Sequence, residues 1–301
     1  MKVNRKFIYG VLLGVLGIVL FSSKAVMVKL AYNYRVDAIS ILLLRMLFAF
    51  PFYVIIAYVY CNKNTNEVTI NKKDYIWLFL FGFIGYYLAS YFDFVGLNYI
   101  KASLERIILF LYPTIVLLLN RIFLKIPITK KQSFAIGLTY LGIVIAFWDE
   151  VTISGSGTLI GGFFILLSAI TYASYLVGSG WLIPKFGVVK FTAYAMIISC
   201  FCVFIHYSMI SELDLLSFSW QVYVYGFLIA IFATVIPSFL VSTSIKLISS
   251  SNFAIVAGIG PISTITLAAI FLNEKLTSLQ LLGALGVITG ILLVSLKKAK
   301  A

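Results

Sequence analysis

The sequence predicts an all-α integral membrane fold, ten transmembrane helices arranged as two inverted five-helix repeats. Three observations predict it. Hydrophobic residues fill 62% of the 301 positions and charged residues only 11%, against about 45–50% and about 25% in soluble domains. Apolar runs of membrane-crossing length alternate with short polar breaks, leaving no stretch for an extramembrane domain. Finally, a shift of 148 residues lays the first half of the chain on the second without a gap.

A membrane helix needs about 20 apolar residues, and ten runs approach that length: 7–30, 38–60, 75–97, 101–123, 132–148, 158–180, 188–210, 220–245, 250–272 and 278–296. The first follows Met-Lys-Val-Asn-Arg-Lys in the manner of a signal peptide. It continues far past a signal's apolar core and lacks a small-residue cleavage site, so it reads as a retained span. Polar segments such as 61–74 and 149–157 separate the rest. With the N-terminus inside, the cytoplasmic segments hold Lys2, Arg5, Lys6, Lys72, Lys73, Lys130, Lys131, Lys185, Lys190, Lys246, Lys297, Lys298 and others, whereas the opposite side holds Lys29, Arg35, Lys101 and Lys275. Lys and Arg are retained in the cytoplasm, which places both termini there.

The excess of 23 basic over 10 acidic residues is thereby explained by orientation, and nucleic-acid binding is not expected because no basic cluster exists to neutralise phosphates. Cys61, Cys200 and Cys202 are too few and too scattered for a disulfide framework or metal cage. They read as apolar packing residues, and no metal or cofactor is expected.

The repeat divides the chain into 1–149 and 150–301. At the 148-residue offset Ser103 falls on Ser251, Ile107 on Ile255, Pro113 on Pro261, Leu119 on Leu267 and Ile122-Phe123-Leu124 on Ile270-Phe271-Leu272. Thr129 falls on Thr277, Gln132 on Gln280 and Gly142-Ile143 on Gly290-Ile291. Five spans per half is an odd number, so the second half enters the membrane from the other side. Inverted repeats related by an axis in the membrane plane allow a central site to face either side in turn.

The segments Ala102-Ser103 to Pro113, Leu124, Thr129 and Gly142, and in the second half Ser250-Ser251, Gly260-Pro261, Phe271-Leu272-Asn273-Glu274-Lys275-Leu276-Thr277, Gly283 and Gly290, resemble the EamA branch of the drug/metabolite transporter superfamily. The second half fits the family pattern of Ala-Ser, proline, Leu-x-Glu-x-Leu-Thr and a glycine-rich last helix. The first half departs from it: Lys125-Ile126-Pro127 stands where the glutamate stretch would be, and Glu105-Arg106 replaces small residues. The resemblance covers nearly the whole chain. It implies a secondary carrier with a central cavity, in a family that moves many different amino acids and metabolites.

Charges inside the hydrocarbon cost about 2.5–3.5 kcal/mol each on insertion scales, so Lys24, Arg45, Asp93, Glu105 and Arg106 are candidate functional residues. Arg45 lies near the midplane, about 10–12 Å below the outer end of its span at helical rise. Asp93 and Arg106 flank the hairpin near Asn98–Ile100 at similar depth and are expected to pair. At the repeat offset these charges fall on Tyr172, Ala193, Val241, Phe253 and Ala254. All are therefore in the first half, which suggests a charged cavity wall facing an apolar or aromatic one. The alternatives are a neutralising clasp of Asp93, Glu105 and Arg106, and a Lys24 that snorkels to the outer interface.

Tyr86, Tyr87, Tyr91, Tyr112, Tyr172 and Tyr175 form an aromatic set, each joining an apolar face to a hydroxyl. Arg45, Lys24, Tyr87, Tyr112, Tyr172 and Tyr175 are the expected substrate contacts, with Tyr112 and Tyr172 ranked first on the family resemblance. Pro113 and Pro261, at matched points, remove helix hydrogen bonds and read as paired hinges or a broken-helix site, with static kinks as the alternative. Glycines four apart (Gly10 and Gly14, Gly157 and Gly161, Gly286 and Gly290) allow close helix approach, within one chain or between two, so a monomer and a homodimer both remain open.

The expected function is secondary transport of a small metabolite, an amino acid or nucleotide-like solute, by alternating access across a bacterial inner membrane. Proton coupling through Asp93 or Glu105 is the associated expectation, with Glu105, Asp93, Arg106, Pro113 and Pro261 as coupling or gating residues. A membrane enzyme is disfavoured by one His and the lack of a paired acidic motif, and a passive channel would conduct rather than exchange. No Gly-x-x-x-x-Gly-Lys-Ser/Thr loop supports ATP drive.

Overall fold

A computed structural model describes residues 5–60, 70–124, 157–210 and 215–295, with scattered positions between 130 and 148. Among these residues every regular element is helical. In order they are α1 (Arg5–Tyr32), α2 (Ala38–Tyr60), α3 (Lys72–Gly82), a π-helical turn (Phe83–Leu88), α4 (Ala89–Leu97), α5 (Ala102–Leu109), α6 (Tyr112–Leu124), α7 (Gly157–Phe186) and α8 (Val188–Ile210). Then come α9 (Trp220–Ala230), a second π-helical turn (Ile231–Val235), α10 (Ile236–Val256), α11 (Ile259–Phe271) and α12 (Ser278–Ser295).

Seven continuous stretches are long and apolar enough to cross a bilayer: Arg5–Tyr32, Ala38–Tyr60, Lys72–Leu97, Ala102–Phe123, Gly157–Phe186, Val188–Ile210 and Trp220–Ser250. Of the expected span 132–148, 11 of 17 positions are described and all of these are helical, whereas Pro127 and Thr129 lie outside the described residues. The expected span 250–272 is not one helix. A left-handed Ser249 (φ 71°) separates its start from the preceding span, and it breaks again before Ile259.

The breaks recur. The helix Lys72–Gly82 and its π-turn at Phe83 are followed 148 residues later by Trp220–Ala230 and the π-turn at Ile231. Lys101, the extended residue ahead of α5, corresponds to Ser249. The interruption between α5 and α6 corresponds to that between α10 and α11. Packing follows the same rule. Helix α1 packs on α10 and α11 while α7, its counterpart, packs on α4 and α6, and α2 packs on α8, its own counterpart. Each of these pairings joins the two halves.

Two local causes of these breaks are visible. Pro237 has no N–H to give to the Ala233 carbonyl one turn back, and within the π-turn the Thr234 hydroxyl donates to the Ile229 carbonyl at 2.9 Å. Pro113 and Pro261 sit within the first turn of α6 and α11, where a missing N–H costs nothing. They start the second part of a broken span, the broken-helix alternative, rather than kinking a continuous helix.

Close approach between halves rests on small residues. A Cβ on Gly14 would stand 2.7 Å from the Ser244 hydroxyl of α10, and the neighbouring Ser244 contact is a hydrogen bond to the Gly10 carbonyl at 2.8 Å. Gly85, inside the first π-turn, lies directly against the Tyr175 side chain of α7. Gly85→Ala therefore overpacks this contact, at a cost of about 1–3 kcal/mol. The expected result is a lower thermal midpoint for purified protein, with Gly137→Ala, where a Cβ meets nothing within 4 Å, leaving it unchanged.

Glu274, between α11 and α12, ties the second half to the start of α5. Its carboxylate accepts the backbone N–H groups of Ala102 and Ser103 at 3.0 Å each and the Ser103 hydroxyl at 2.6 Å. A carboxylate at a helix N-terminus satisfies orphan donors and the helix dipole. This is a structural role for the Glu of the Leu-x-Glu-x-Leu-Thr stretch and for the Ala-Ser pair. Its first-half counterpart is Ile126, which has no oxygen to offer. Glu274→Ala is expected to cost about 1–2 kcal/mol, the scale of a lost helix cap, read as a drop in thermal midpoint that Glu274→Asp does not restore, because the shorter side chain cannot reach both N–H groups.

Candidate functional site

The interior of the helix bundle holds two small pockets that share Phe21, Tyr86 and Tyr172 as walls. The larger is completed by Lys24, Gly85, Ala89, Ser90, Leu109 and Ser168, and the smaller by Thr234, Pro237, Ser238 and Val241. Water-sized centres have about 20 Å³ in one and about 10 Å³ in the other, room for about one water each. Both π-turns contribute to this cavity. It therefore forms where two spans, one from each half, depart from regular α-helix, and π-turns recur at functional sites because they re-aim side chains.

Lys24 lies on α1, on the face directed at α4. Its ammonium is buried and sits 2.5 Å from the Asp93 carboxylate and 4.9 Å from the Phe21 ring centre. Lys24 therefore does not snorkel to the interface. Asp93 pairs with Lys24 and not, as expected, with Arg106. Arg106 donates to the Ser22 hydroxyl of α1 at 3.3 Å and covers Gly260 of the second half. A Cβ on Gly260 would stand 2.5 Å from the guanidinium, so the glycine before Pro261 makes room for this side chain. Glu105, fully buried, lies in the field of Asp93, Lys24 and Arg106, and neither of its oxygens has a hydrogen-bond partner among the described residues.

Arg45, on α2, is 1% exposed. Its Nε donates to the Thr234 hydroxyl at 2.7 Å and an Nη to the Ser90 hydroxyl at 3.0 Å, with Phe94 at 5.5 Å beneath the guanidinium. Ser90 and Thr234 line the cavity, so Arg45 stands one layer behind the wall and bridges the two π-turn regions. Tyr53 of the same helix makes a parallel link, hydroxyl to hydroxyl with Ser238 at 2.9 Å.

The aromatic set divides. Tyr172 lines both pockets, stacked on Phe21 at 6.2 Å and edge-on to Tyr112 at 5.1 Å. Tyr112 and Tyr175 are buried behind it, with Tyr175 against Tyr86 at 4.7 Å. Tyr87 turns away: its hydroxyl is 3.0 Å from His206 Nδ1 on a partly exposed flank, and Tyr86 takes the place expected for it. Sequence reasoning also passed over Phe21, Ser90, Thr234 and Ser238. For Thr234 and Ser238 the one signal was a hydroxyl within an apolar run beside Pro237.

Among the described residues, the buried charges Lys24, Arg45, Asp74, Asp93, Glu105 and Arg106 all belong to the first half. Asp74, at the start of α3, is distinct from the cavity group and pairs with Lys185 of α7 at 2.7 Å. The second half faces the cavity with Tyr172, hydroxyls and apolar side chains.

Comparison with known proteins agrees with this architecture. The model of the EamA-like transporter family matches the chain twice, over residues 8–148 and 159–296. An uncharacterized transporter of Bacillus subtilis, YcbK, is 31% identical over 98% of this chain and 96% of its own length. A second uncharacterized transporter, from Synechocystis, is 27% identical over 86% of this chain and 79% of its own. A solved crystal structure superposes with a TM-score of 0.67 at 11% identity, covering 95% of this chain and 98% of the other, which speaks for the fold alone. With the family model matching each half and a full-length relative above 30% identity, the chain belongs to the EamA-like transporter family and is a multi-pass membrane transporter.

Proposed function

We propose that this transporter is a secondary carrier that moves a small metabolite, an amino acid or nucleotide-like solute, across the cytoplasmic membrane by alternating access, with both termini inside. The chain acts as two inverted repeats of five spans, 1–149 and 150–301. The observation that carries the reading is the position of the cavity between two π-turns set 148 residues apart. When the halves exchange conformations, each π-turn takes the geometry of the other, and the cavity between them opens to the opposite side. A cavity that admits about one water per pocket corresponds to a closed form through which nothing diffuses. Lys24, Ser90 and Tyr172 contact the solute in this reading. Arg45, Tyr112 and Tyr175 shape the wall from behind. The breaks at Pro113 and Pro261 act as hinges.

The test is Ala89→Cys in a cysteine-free background, because Ala89 lines the cavity and is buried. A carrier reacts with a membrane-impermeant maleimide in both right-side-out and inverted vesicles, each reaction slowed when the opposite-facing form is trapped, and it shows saturable exchange in proteoliposomes. Reaction from one side only, or simultaneous access with steady conductance, overturns alternating access.

A further inference from the structure

Lys24 is the one charged side chain among the residues lining the two pockets. Its present partner, Asp93, lies beside Glu105, a second buried carboxylate. Arg45 is held by two neutral hydroxyls and Arg106 by one. Arg45 and Arg106 are not among the residues lining the two pockets, so the one cation that an entering molecule can reach is Lys24. The walls around it are the faces of Phe21, Tyr86 and Tyr172.

We propose that the solute is an organic anion, a carboxylate on an apolar or aromatic body, that takes Lys24 over from Asp93 and brings one proton with it. The solute carboxylate forms an ion pair with the Lys24 ammonium as the Lys24–Asp93 contact breaks. Asp93, left against Glu105, then binds a proton from the water that enters the opened cavity, and the two carboxyl groups share it. One negative charge and one proton are added together, so the net charge of the site is unchanged. Release reverses both steps. Other titratable groups face this cluster: Tyr32 of α1, whose hydroxyl bonds the Phe94 carbonyl at 2.6 Å, Arg45 of α2, Arg106 of α5, Tyr112 of α6 and Tyr172 of α7. Helix α11 brings none, and α10 only Lys246 at its far end.

This inference rests on the carrier reading above, and the test separates the two. Thermal stability of the purified protein is measured with phenylacetate, hexanoate, phenylacetamide and phenethylamine at pH 6 and pH 8. A ligand that binds only the folded state raises the midpoint. The two carboxylates are expected to do so, more strongly at pH 6, and the amide and the amine are not. Asp93→Asn, which removes the competing anion, is expected to tighten phenylacetate binding at least tenfold and to flatten its pH dependence, and Lys24→Gln to abolish it. If Lys24→Gln does not accumulate, the four-compound panel on the unaltered protein still decides. Stabilisation by the amine, equal effects of amide and carboxylate, no effect of either carboxylate, or weaker binding by Asp93→Asn overturns the proposal. Saturable exchange of neutral solutes alone in proteoliposomes overturns it while leaving the carrier intact. Carboxylate stabilisation without any exchange overturns the carrier reading instead.

Discussion

Arg45→Met is expected to reduce transport at least 100-fold while the protein still folds and inserts. The balance of energies leads to that split. Arg45 costs about 2.5–3.5 kcal/mol to place at the centre of a membrane helix, and its two hydrogen bonds to hydroxyls, to Thr234 and Ser90, return about 1.5–3 kcal/mol each because the donor is charged. Methionine gives up both sums and fills most of the volume, so the net change in stability lies near zero. The hydroxyls left behind keep partial satisfaction, since Thr234 still donates to the Ile229 carbonyl. What methionine cannot replace is the bridge from α2 to both π-turn regions, one in each half. If these turns must exchange geometry together, removing their common partner uncouples them. The measurement is uptake into proteoliposomes beside a thermal midpoint of the same preparation. Lost uptake with an unchanged midpoint supports the bridge, and a collapsed midpoint shows that Arg45 only holds the fold.

The second large effect is expected at Lys24. Lys24→Met leaves Asp93 facing Glu105 without the cation 2.5 Å away, and breaking one partner of a buried ion pair costs about 3–5 kcal/mol. That is a large part of the total stability of an ordinary domain, so the variant is expected to accumulate poorly. The paired change Lys24→Met with Asp93→Asn removes the orphaned charge along with its partner and is expected to recover most of the loss. Thermal midpoints of the four members of this cycle measure the coupling directly. Additive effects would mean that the two residues do not depend on each other.

Fold class was legible because its cause is local. Twenty apolar residues in a row have few places to go besides a bilayer, and Lys and Arg at alternate ends set direction without any knowledge of packing. The 148-residue spacing of the breaks was legible for a related reason: matched residues such as Pro113 and Pro261 mark matched backbone breaks, and a break is a local event. The concentration of buried charge in the first half could likewise be read from an offset alone.

Partnership was not legible. Asp93 and Arg106 are neighbours across a short hairpin, and sequence distance favoured their pairing, yet Lys24 arrives from α1 and takes Asp93, while Arg106 turns into the space above Gly260. Tyr86 and Tyr87 are adjacent and chemically equal. Which of them faces the cavity depends on the rotation introduced by a π-turn, and one residue of rotation sends a side chain to another face of the helix. Glu274 belongs to a motif that was plain in the sequence, but its three bonds to the start of α5 join residues some 170 positions apart. Hydropathy depends on neighbours along the chain, so the sequence alone determined the all-helical membrane class. Which buried charge meets which, and which hydroxyls hold Arg45, depends on how helices from the two halves rotate and approach, and only the tertiary structure decided that.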